Sequence, residues 1–415
     1  MRTVLDGEQT ADLIAAITSA ASAHAARRPG DRGGRQPVHT VYVAADRVEQ
    51  STVATLGREA RRLLDLHAPD PAAFAATFGV SVDLAAQVRQ RVAHKLQREP
   101  VEDLRIDFED GYGRRHDAQE DADAVRTAHA LAAAVSDGTA PPFFGLRIKS
   151  FVDGGHERAI RTLDGFLTAL LDDGDGTLPD GFLLTFPKVV TAAHVEAFAT
   201  LLGRLERALG LADSALTFEM QVETVESIVD ANGRVALPSL VAAAQGRMVG
   251  AHFGVFDYTA ACGLPAQEQR LDHPACDFAR HVMQVALAGT GVRLSDGSTN
   301  RVPRDDTTAA MTDVWGHHAG LVRRSLAHGF FQGWDLHPSH LVSRFAAVYA
   351  FHLAGFEDTT RRLGAWHTAS ASGDVLDEPA TIRALQASLR RAVDCGAVTP
   401  EEASQAVRGG VAGTT

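Results

Sequence analysis

Cysteine is scarce in this sequence, which has only Cys262, Cys276 and Cys395 in 415 residues. Three widely spaced thiols cannot build a disulfide framework, and no His/Cys group has zinc-site spacing. No segment is long and apolar enough to be a membrane span. Asp6 and Glu8 interrupt any apolar run near the start, so we expect no signal peptide and a cytoplasmic protein.

Positive charge is also in short supply. The sequence has 40 Lys and Arg against 52 Asp and Glu, for a formal net charge of −12. Non-specific binding to nucleic acid or to an anionic membrane needs a basic face, so we expect neither partner. A local basic pocket for a small anionic substrate remains compatible with this balance. With 45% hydrophobic residues, the chain can bury a full core.

Strand-like segments alternate with helical patterns along most of the chain. This alternation predicts a parallel sheet covered by helices. Eight such units favour a closed α/β barrel, the (β/α)8 TIM barrel, although strand number alone leaves an open sheet as the alternative. The predicted strands cover residues 39–44, 104–108, 143–148, 182–186, 216–222, 248–253, 291–294 and 330–334.

Three segments lie outside a minimal barrel. Residues 1–37 form an N-terminal helix and a Gly-rich linker, and residues 38–345 form the predicted barrel. Residues 48–100 are a long helical insertion after the first strand. Residues 346–415 form a C-terminal helical segment, with a Gly/Ser break at 369–374 and a frayed end from 409.

Nearly every predicted strand ends in a charged side chain. The carboxyl ends of barrel strands converge on one mouth, so these side chains are expected to share a site. Charges of both signs suit an anionic ligand together with a hard cation. In strand order the residues are Glu109 and Asp110, Arg147, Lys188, Glu223, Asp257, Asp296 and Asp335.

Glu223 and Asp257 follow neighbouring predicted strands. Two carboxylates, completed by waters and substrate oxygens, suit Mg²⁺ or Mn²⁺. Each residue also has a purely structural interpretation. Glu223 could stabilise a helix N-terminus, Asp257 could cap a turn, and Arg147 could belong to a structural ion pair.

The same residue types suit chemistry through an enolate. Making or breaking a C–C bond beside a carbonyl develops negative charge on oxygen, which a divalent cation and Arg147 could stabilise. Glu109 or Asp110 could handle the proton. Lys188 is the strand-end candidate for a Schiff-base nucleophile, and Lys188 and Asp296 are candidates for substrate binding.

Seven short segments, in order over about residues 38–395, resemble the citrate lyase beta subunit and malyl-CoA lyase group. This group belongs to the pyruvate-enolate aldolase superfamily, to which malate synthases are related. Residues 253–257, for example, resemble its Phe-Gly-x-x-Asp metal element. The segments are residues 105–110, 146–148, 186–189, 222–224, 253–257, 335–338 and 373–379.

The resemblance implies roles for individual residues. Glu223 and Asp257 would hold Mg²⁺ for a 2-oxoacid such as glyoxylate, pyruvate or oxaloacetate, and Arg147 would bind its carboxylate or the enolate oxygen. Asp377 would match an acid/base that reaches a neighbouring subunit's site. An acyl-CoA thioester as second substrate and a homotrimer or homohexamer are also implied.

The chain departs from the group at three places, one of which is the turn at 294–300, richer in hydroxyl and amide groups than the group's usual pattern. Asp335 stands where the group has lysine, and the insertion at 48–100 is unusually long. These departures bear on the acyl-CoA substrate more than on the metal. Two alternatives therefore stay open, an aldolase of a pyruvate-derived hydroxy-oxoacid that needs no CoA, and a non-catalytic barrel subunit.

Overall fold

The computed structural model describes residues 4–152, 154–174, 176–372 and 377–412. Eight strands are parallel members of one sheet. They are β1 (His39–Ala44), β2 (Asp103–Asp107), β3 (Phe143–Arg147), β4 (Phe182–Phe186), β5 (Phe218–Val222), β6 (Met248–Phe253), β7 (Arg293–Ser295) and β8 (Gly333–Asp335). The strand order is β7-β6-β5-β4-β3-β2-β1-β8.

The two edge strands of this order meet at a short seam. Ser295 and Gln332 form a parallel bridge, and the Asp296 N–H donates to the Gln332 carbonyl at 2.8 Å. The sheet is therefore a nearly closed barrel with helices between its strands, and the prediction of a (β/α)8 TIM barrel is confirmed.

Sixteen helices are described around and beyond the strands. They are α1 (Gly7–Arg27), α2 (Thr52–His67), α3 (Pro71–Phe78), α4 (Val82–Arg98), α5 (Asp117–Ser136), α6 (His156–Asp173), α7 (Ala192–Leu209), α8 (Val225–Ile228), α9 (Leu237–Ala243), α10 (Val255–Ala261), α11 (Pro274–Leu287), α12 (Thr308–Ala327), α13 (Pro338–Ala354), α14 (Phe356–Ser372), α15 (Pro379–Asp394) and α16 (Pro400–Ala412).

Strand boundaries lie within three residues of the predicted ones, and β1, β4 and β6 match at both ends. Helix α10 was not predicted, whereas α3, α14 and α16 lie in the segments 48–100 and 346–415, which were predicted to be helical without separate bounds for these three helices. The expected break at 369–374 is wrong as far as Ser372, because α14 continues to that residue; residues 373 and 374 lie outside the described residues. Helix α16 ends at Ala412, and the frayed end expected from 409 stays a prediction. The domain boundaries stay predictions.

Side chains alternate along the strands between the helices and the barrel interior, as the pleat requires. The apolar set faces the helices and builds the core, while much of the interior set is charged. Arg105 on β2 donates to Asp103 at 2.7 Å and reaches across the barrel to Glu219 on β5 at 2.8 Å. All three are buried. The interior is thus a polar column that leads to the mouth.

The helices of the insertion cover one side of the barrel. Both α2 and α4 pack against α13, the helix that follows β8. By contrast, α1 has no buried residue along its 21-residue length. No single described helix has the length and hydropathy of a membrane span, although α3 and α4 together pass that test as a pair bent by 99°.

Candidate active site

Arg147 is the last residue of β3 and has a fixed orientation at the mouth. Its guanidinium binds Asp107 twice, through Nε at 2.7 Å and Nη2 at 2.7 Å. Its Nη1 lies 3.2 Å from Glu109 Oε2, and its Cζ lies 4.8 Å from the centre of the Tyr42 ring. A bidentate pair of this kind fixes both position and plane. Arg147 is therefore an ion-pair partner, as one interpretation predicted, and also part of the mouth.

Lys188 follows β4 and connects acids from three elements. Its backbone has φ 49°, an uncommon left-handed conformation for a residue with a side chain, and its N–H donates to Glu223 Oε1 at 2.8 Å. Its ammonium contacts Glu109, lies 2.8 Å from Asp110 Oδ2 and lies 3.8 Å from Asp257 Oδ2. Burial alone would lower the pKa of Lys188, but the Glu109 charge and the Asp110 hydrogen bond raise it.

Glu223 is a buried carboxylate among other carboxylates. It is 2% exposed, and its side chain fits because Gly254 opposite has no Cβ, which would overlap it. Burial, followed by the charges of Glu109 and Asp257, raises the pKa of Glu223 from 4.5 to about 8. In the absence of a cation, Glu223 therefore carries a proton at neutral pH.

Negative charge is in excess at the mouth. Burial raises the pKa of Glu109 and of Asp257, which shows that neither charge is fully compensated. An all-oxygen donor set with surplus negative charge fits a hard divalent cation such as Mg²⁺ or Mn²⁺. Five carboxylates face two basic side chains, namely Asp107, Glu109, Asp110, Glu223 and Asp257 against Arg147 and Lys188.

Asp296 lies apart from this cluster. It is 1% exposed, and its carboxylate accepts from Arg280 Nη1 at 3.0 Å and from Ser325 Oγ at 2.6 Å. Arg280 belongs to α11 and Ser325 to α12, so Asp296 ties the end of β7 to the surrounding helices. No described contact joins it to the acids of the mouth, and its role in substrate binding stays a prediction.

Asp377 forms an ion pair with another residue of the C-terminal segment in the same chain. It accepts from Arg362 Nη2 on α14 at 2.7 Å, and this hydrogen bond lowers the pKa of Asp377. Residues 373–376, which belong to the same sequence motif, lie outside the described residues. A role of Asp377 in a neighbouring subunit's site stays a prediction.

A second group of metal-type donors lies near the end of β8. Donor atoms of His318, Asp335 and His340 lie within 4.8 Å of one another. They already have partners, because His318 Nε2 lies 3.2 Å from Asp335 Oδ1 and His340 Nε2 lies 2.8 Å from the Arg301 carbonyl. Arg344 Nη2 binds Asp335 at 2.8 Å and supplies the positive charge. This group fits an ion-pair network better than a metal centre.

Three residues at the mouth were not predicted. Asp107 holds Arg147, and the Tyr42 ring lies against the same guanidinium. With its amide turned to satisfy both neighbours, Gln221 has its nitrogen 3.1 Å from Glu223 Oε1 and its oxygen 3.3 Å from Arg147 Nη1. Asp107 and Gln221 each lie two residues before a predicted acid, on the same strand face, and that spacing was a usable signal. The sequence carries no comparable signal for Tyr42.

The eight-stranded parallel sheet places the chain among the (β/α)8 barrels. The chain belongs to the family described as a domain of unknown function, DUF6986, whose model matches residues 17–412. No curated protein shows a significant sequence match.

Two solved structures illustrate the similarity. A citrate lyase from Burkholderia xenovorans LB400 has 19% identity and a TM-score of 0.59, over 91% of this chain and 98% of that one. A malate synthase from Haloferax volcanii, solved as a lead(II) complex, has 14% identity and a TM-score of 0.50, over 92% of this chain and 98% of that one. At these identities the comparisons establish a shared fold, which agrees with the resemblance at that level.

Proposed function

We propose that the mouth of the barrel is the active site of a Mg²⁺- or Mn²⁺-dependent carbon–carbon lyase or synthase. It would act through an enolate on a 2-oxoacid, with an acyl-CoA thioester as second substrate. The observation that carries this proposal is the buried Glu223 carboxylate, whose pKa rises to about 8 beside Glu109 and Asp257. A carboxylate in such surroundings is stabilised as an anion when a cation joins the cluster.

Glu223 and Asp257 are the residues that would hold the cation. When bound, a divalent cation supplies a Lewis acid that polarises a carbonyl and stabilises negative charge on its oxygen. The lead(II) complex of the Haloferax volcanii malate synthase supports the idea that a fold of this kind holds a divalent cation. The surplus of acids at this chain's own mouth supports it independently.

The basic residues of the mouth would bind and orient the substrate. Arg147 presents Nη1 beside Glu109, and a planar guanidinium suits a carboxylate or a developing enolate oxygen. Glu109 has a pKa raised by burial, so it can hold or release a proton closer to neutral pH than a free glutamate. Lys188 has a raised pKa and three acidic neighbours, which makes it a poor Schiff-base nucleophile.

The decisive experiment is a substrate screen with the purified chain. Glyoxylate, pyruvate and oxaloacetate are each tested with and without acetyl-CoA or propionyl-CoA, in Mg²⁺ and again in excess chelator. We expect turnover that needs the metal and, for at least one oxoacid, the thioester. Turnover of a hydroxy-oxoacid with no CoA dependence would instead identify the aldolase.

The same screen tests the non-catalytic alternative. If no pair reacts, and Mn²⁺ does not bind by paramagnetic resonance or calorimetry, the barrel is a structural subunit and the proposal is wrong. Asp257→Asn tests the cluster, and Asp272→Asn outside the cluster is its matched control, because each substitution removes one partly exposed carboxylate. Only the first is expected to weaken Mn²⁺ binding, by roughly tenfold or more.

Asp377→Asn separates a catalytic role of that residue from a local one. A role as acid/base predicts unchanged Mg²⁺ and oxoacid binding with turnover lower by roughly 10²–10⁴. A purely local role predicts unchanged turnover, because the described partner of Asp377 is Arg362. Arg362→Gln is the matched control, since it removes the same ion pair and leaves the carboxylate free. Steady-state kinetics and oxoacid binding are measured on both variants, and equal turnover in both would exclude the acid/base role.

A further inference from the structure

The amino ends of five barrel strands surround a cavity of about 420 Å³ on the face opposite the mouth. In barrels of this type the opposite face ordinarily serves stability, and chemistry stays at the carboxyl ends of the strands. We call this cavity the basal pocket. Its lining includes Arg32, Phe143, Gly181, Thr217, Val249 and Arg293.

Two arginines of the basal pocket form no direct ion pair with the acids that the structure describes. Among the described residues, neither Arg32 nor Arg293 has a carboxylate oxygen within ion-pair distance, although most arginines of the barrel do. Arg32 Nη2 donates to the Gly246 carbonyl at 3.3 Å, and Arg293 Nη2 donates to the Gly33 carbonyl at 3.4 Å. A guanidinium has five N–H donors, so most donors of both residues have no described acceptor.

A glycine just before β7 makes room for Arg32. Gly291 has φ 79°, and a Cβ there would lie 2.8 Å from Arg32 Cγ, so the glycine makes room for the Arg32 side chain. Arg293 is half-buried, with its Cζ 5.9 Å from the Phe143 ring centre. Burial lowers the pKa of Arg293 and the charge of Arg32 adds to this, while the charges of Glu219, Asp31 and Asp394 act in the opposite direction without cancelling it.

An adjoining smaller cavity of about 240 Å³ shares Gly291 and Arg293 with the basal pocket and adds two more arginines. Arg390 there pairs with Asp31, whereas Arg391 lies over the Phe331 ring, with its Cζ 4.0 Å from the ring centre. Asp180 and Asp394 are further acids of the two cavities. The four arginines outnumber the three aspartates in a chain whose net charge is −12.

We propose that the basal pocket binds a small phosphorylated metabolite through Arg32 and Arg293. Planar guanidinium groups match the geometry of a phosphoryl group and bind it through paired N–H donors. The pocket volume is suited to a small metabolite. The site is separate from the mouth, and the proposal does not depend on the function proposed above.

Inorganic phosphate and pyrophosphate are the probes. We expect both to bind the wild-type chain by calorimetry and to raise its melting temperature, while chloride at equal ionic strength does neither. Arg293→Gln and Arg32→Gln should each weaken pyrophosphate binding by about tenfold or more, since each removes charge-assisted hydrogen bonds. Arg204→Gln, which changes an exposed arginine of α7, should have no effect.

Further variants distinguish anion binding in the basal pocket from anion binding at the mouth. Arg147→Gln changes the arginine of the mouth and should keep pyrophosphate binding. Loss of binding in Arg147→Gln with retention in Arg293→Gln would place the anion at the mouth and overturn the proposal. Unchanged affinity for pyrophosphate in both Arg293→Gln and Arg32→Gln, or no binding by the wild type, would also overturn the proposal.

Melting temperatures test a purely structural role of the two arginines. In phosphate-free buffer Arg293→Gln should melt no lower than the wild type. If Arg293→Gln and Arg32→Gln both melt lower, and phosphate does not raise the melting temperature of the wild type, the arginines only hold the linker.

Discussion

Glu223→Gln is expected to abolish Mg²⁺ binding and to make the metal-free protein more stable at alkaline pH. The substitution preserves shape but removes the charge that a cation needs, and it removes the cost of ionising a buried group. Under the function proposed above, catalytic turnover should fall to background because the site would no longer hold its cation. Few substitutions combine loss of function with a gain in stability, and buried active-site charges are where this combination is expected.

The direction of the pH effect follows from the pKa of Glu223, which rises from 4.5 to about 8 on folding. Because the folded protein holds this proton more tightly than the unfolded chain, the associated stability is complete below about 4.5. It is lost as the pH rises to about 8. The metal-free wild type should therefore lose free energy of unfolding, on the order of a few kcal/mol, between about pH 5 and 9, and Glu223→Gln should lack this component.

Urea unfolding at about pH 5, 7 and 9 in excess chelator measures this difference, and repetition in Mg²⁺ should restore wild-type stability at the highest pH. Glu226→Gln is the matched control, because it is the same change at an exposed acid three residues further along the chain. It should alter neither metal binding nor the pH dependence. If Glu223→Gln were less stable than wild type at alkaline pH without metal, Glu223 would be an ionised structural acceptor for the Lys188 N–H.

The sequence was sufficient for the barrel because its signals are local and repeated. Strand-like segments such as Phe182–Phe186 recur eight times and most of them are followed by a long helix, and each strand needs only its own residues to be recognised. Short elements carried less signal. Helix α10 has seven residues and follows Gly254 directly, so it is too short for a helical periodicity to be recognised in the sequence.

The members of the site were partly predictable, but their pairing was not. Charged residues at strand ends indicated Arg147 and Glu223, since every barrel strand ends at the same mouth. The same argument included Asp296, whose carboxylate faces α11 and α12. Strand β7 has three residues, too few for the alternation of side chains to show which of them face inward.

The position of Lys188 could not be read from its strand either. Its left-handed backbone conformation aims the N–H at Glu223 while the ammonium reaches Glu109 and Asp110. Such a conformation costs a non-glycine residue on the order of 1–3 kcal/mol, so it forms only when tertiary contacts enforce it. The backbone conformation of Lys188 is therefore decided by contacts made across the barrel and not by the local sequence.

Arg147→Lys is expected to lower kcat/KM by roughly 10²–10³ while leaving the fold and Mg²⁺ binding intact. Lysine keeps the charge but has no planar fork. It cannot bind both oxygens of Asp107 and at the same time present an N–H beside Glu109, as Arg147 does at 2.7 Å and 3.2 Å. A substrate carboxylate or enolate oxygen would therefore meet a mobile point charge in place of an oriented donor.

The matched control is Arg126→Lys, at an arginine that also makes several hydrogen bonds but on α5, where it contacts Asp123 and the Ala45 and Val48 carbonyls. It is expected to cost a little stability and no turnover. Steady-state kinetics, circular dichroism and Mn²⁺ titration are compared for both variants. Near wild-type turnover in Arg147→Lys would mean that Arg147 only holds Asp107 in place. A loss confined to kcat, with KM unchanged, would mean that the guanidinium acts on the charge that develops in the transition state.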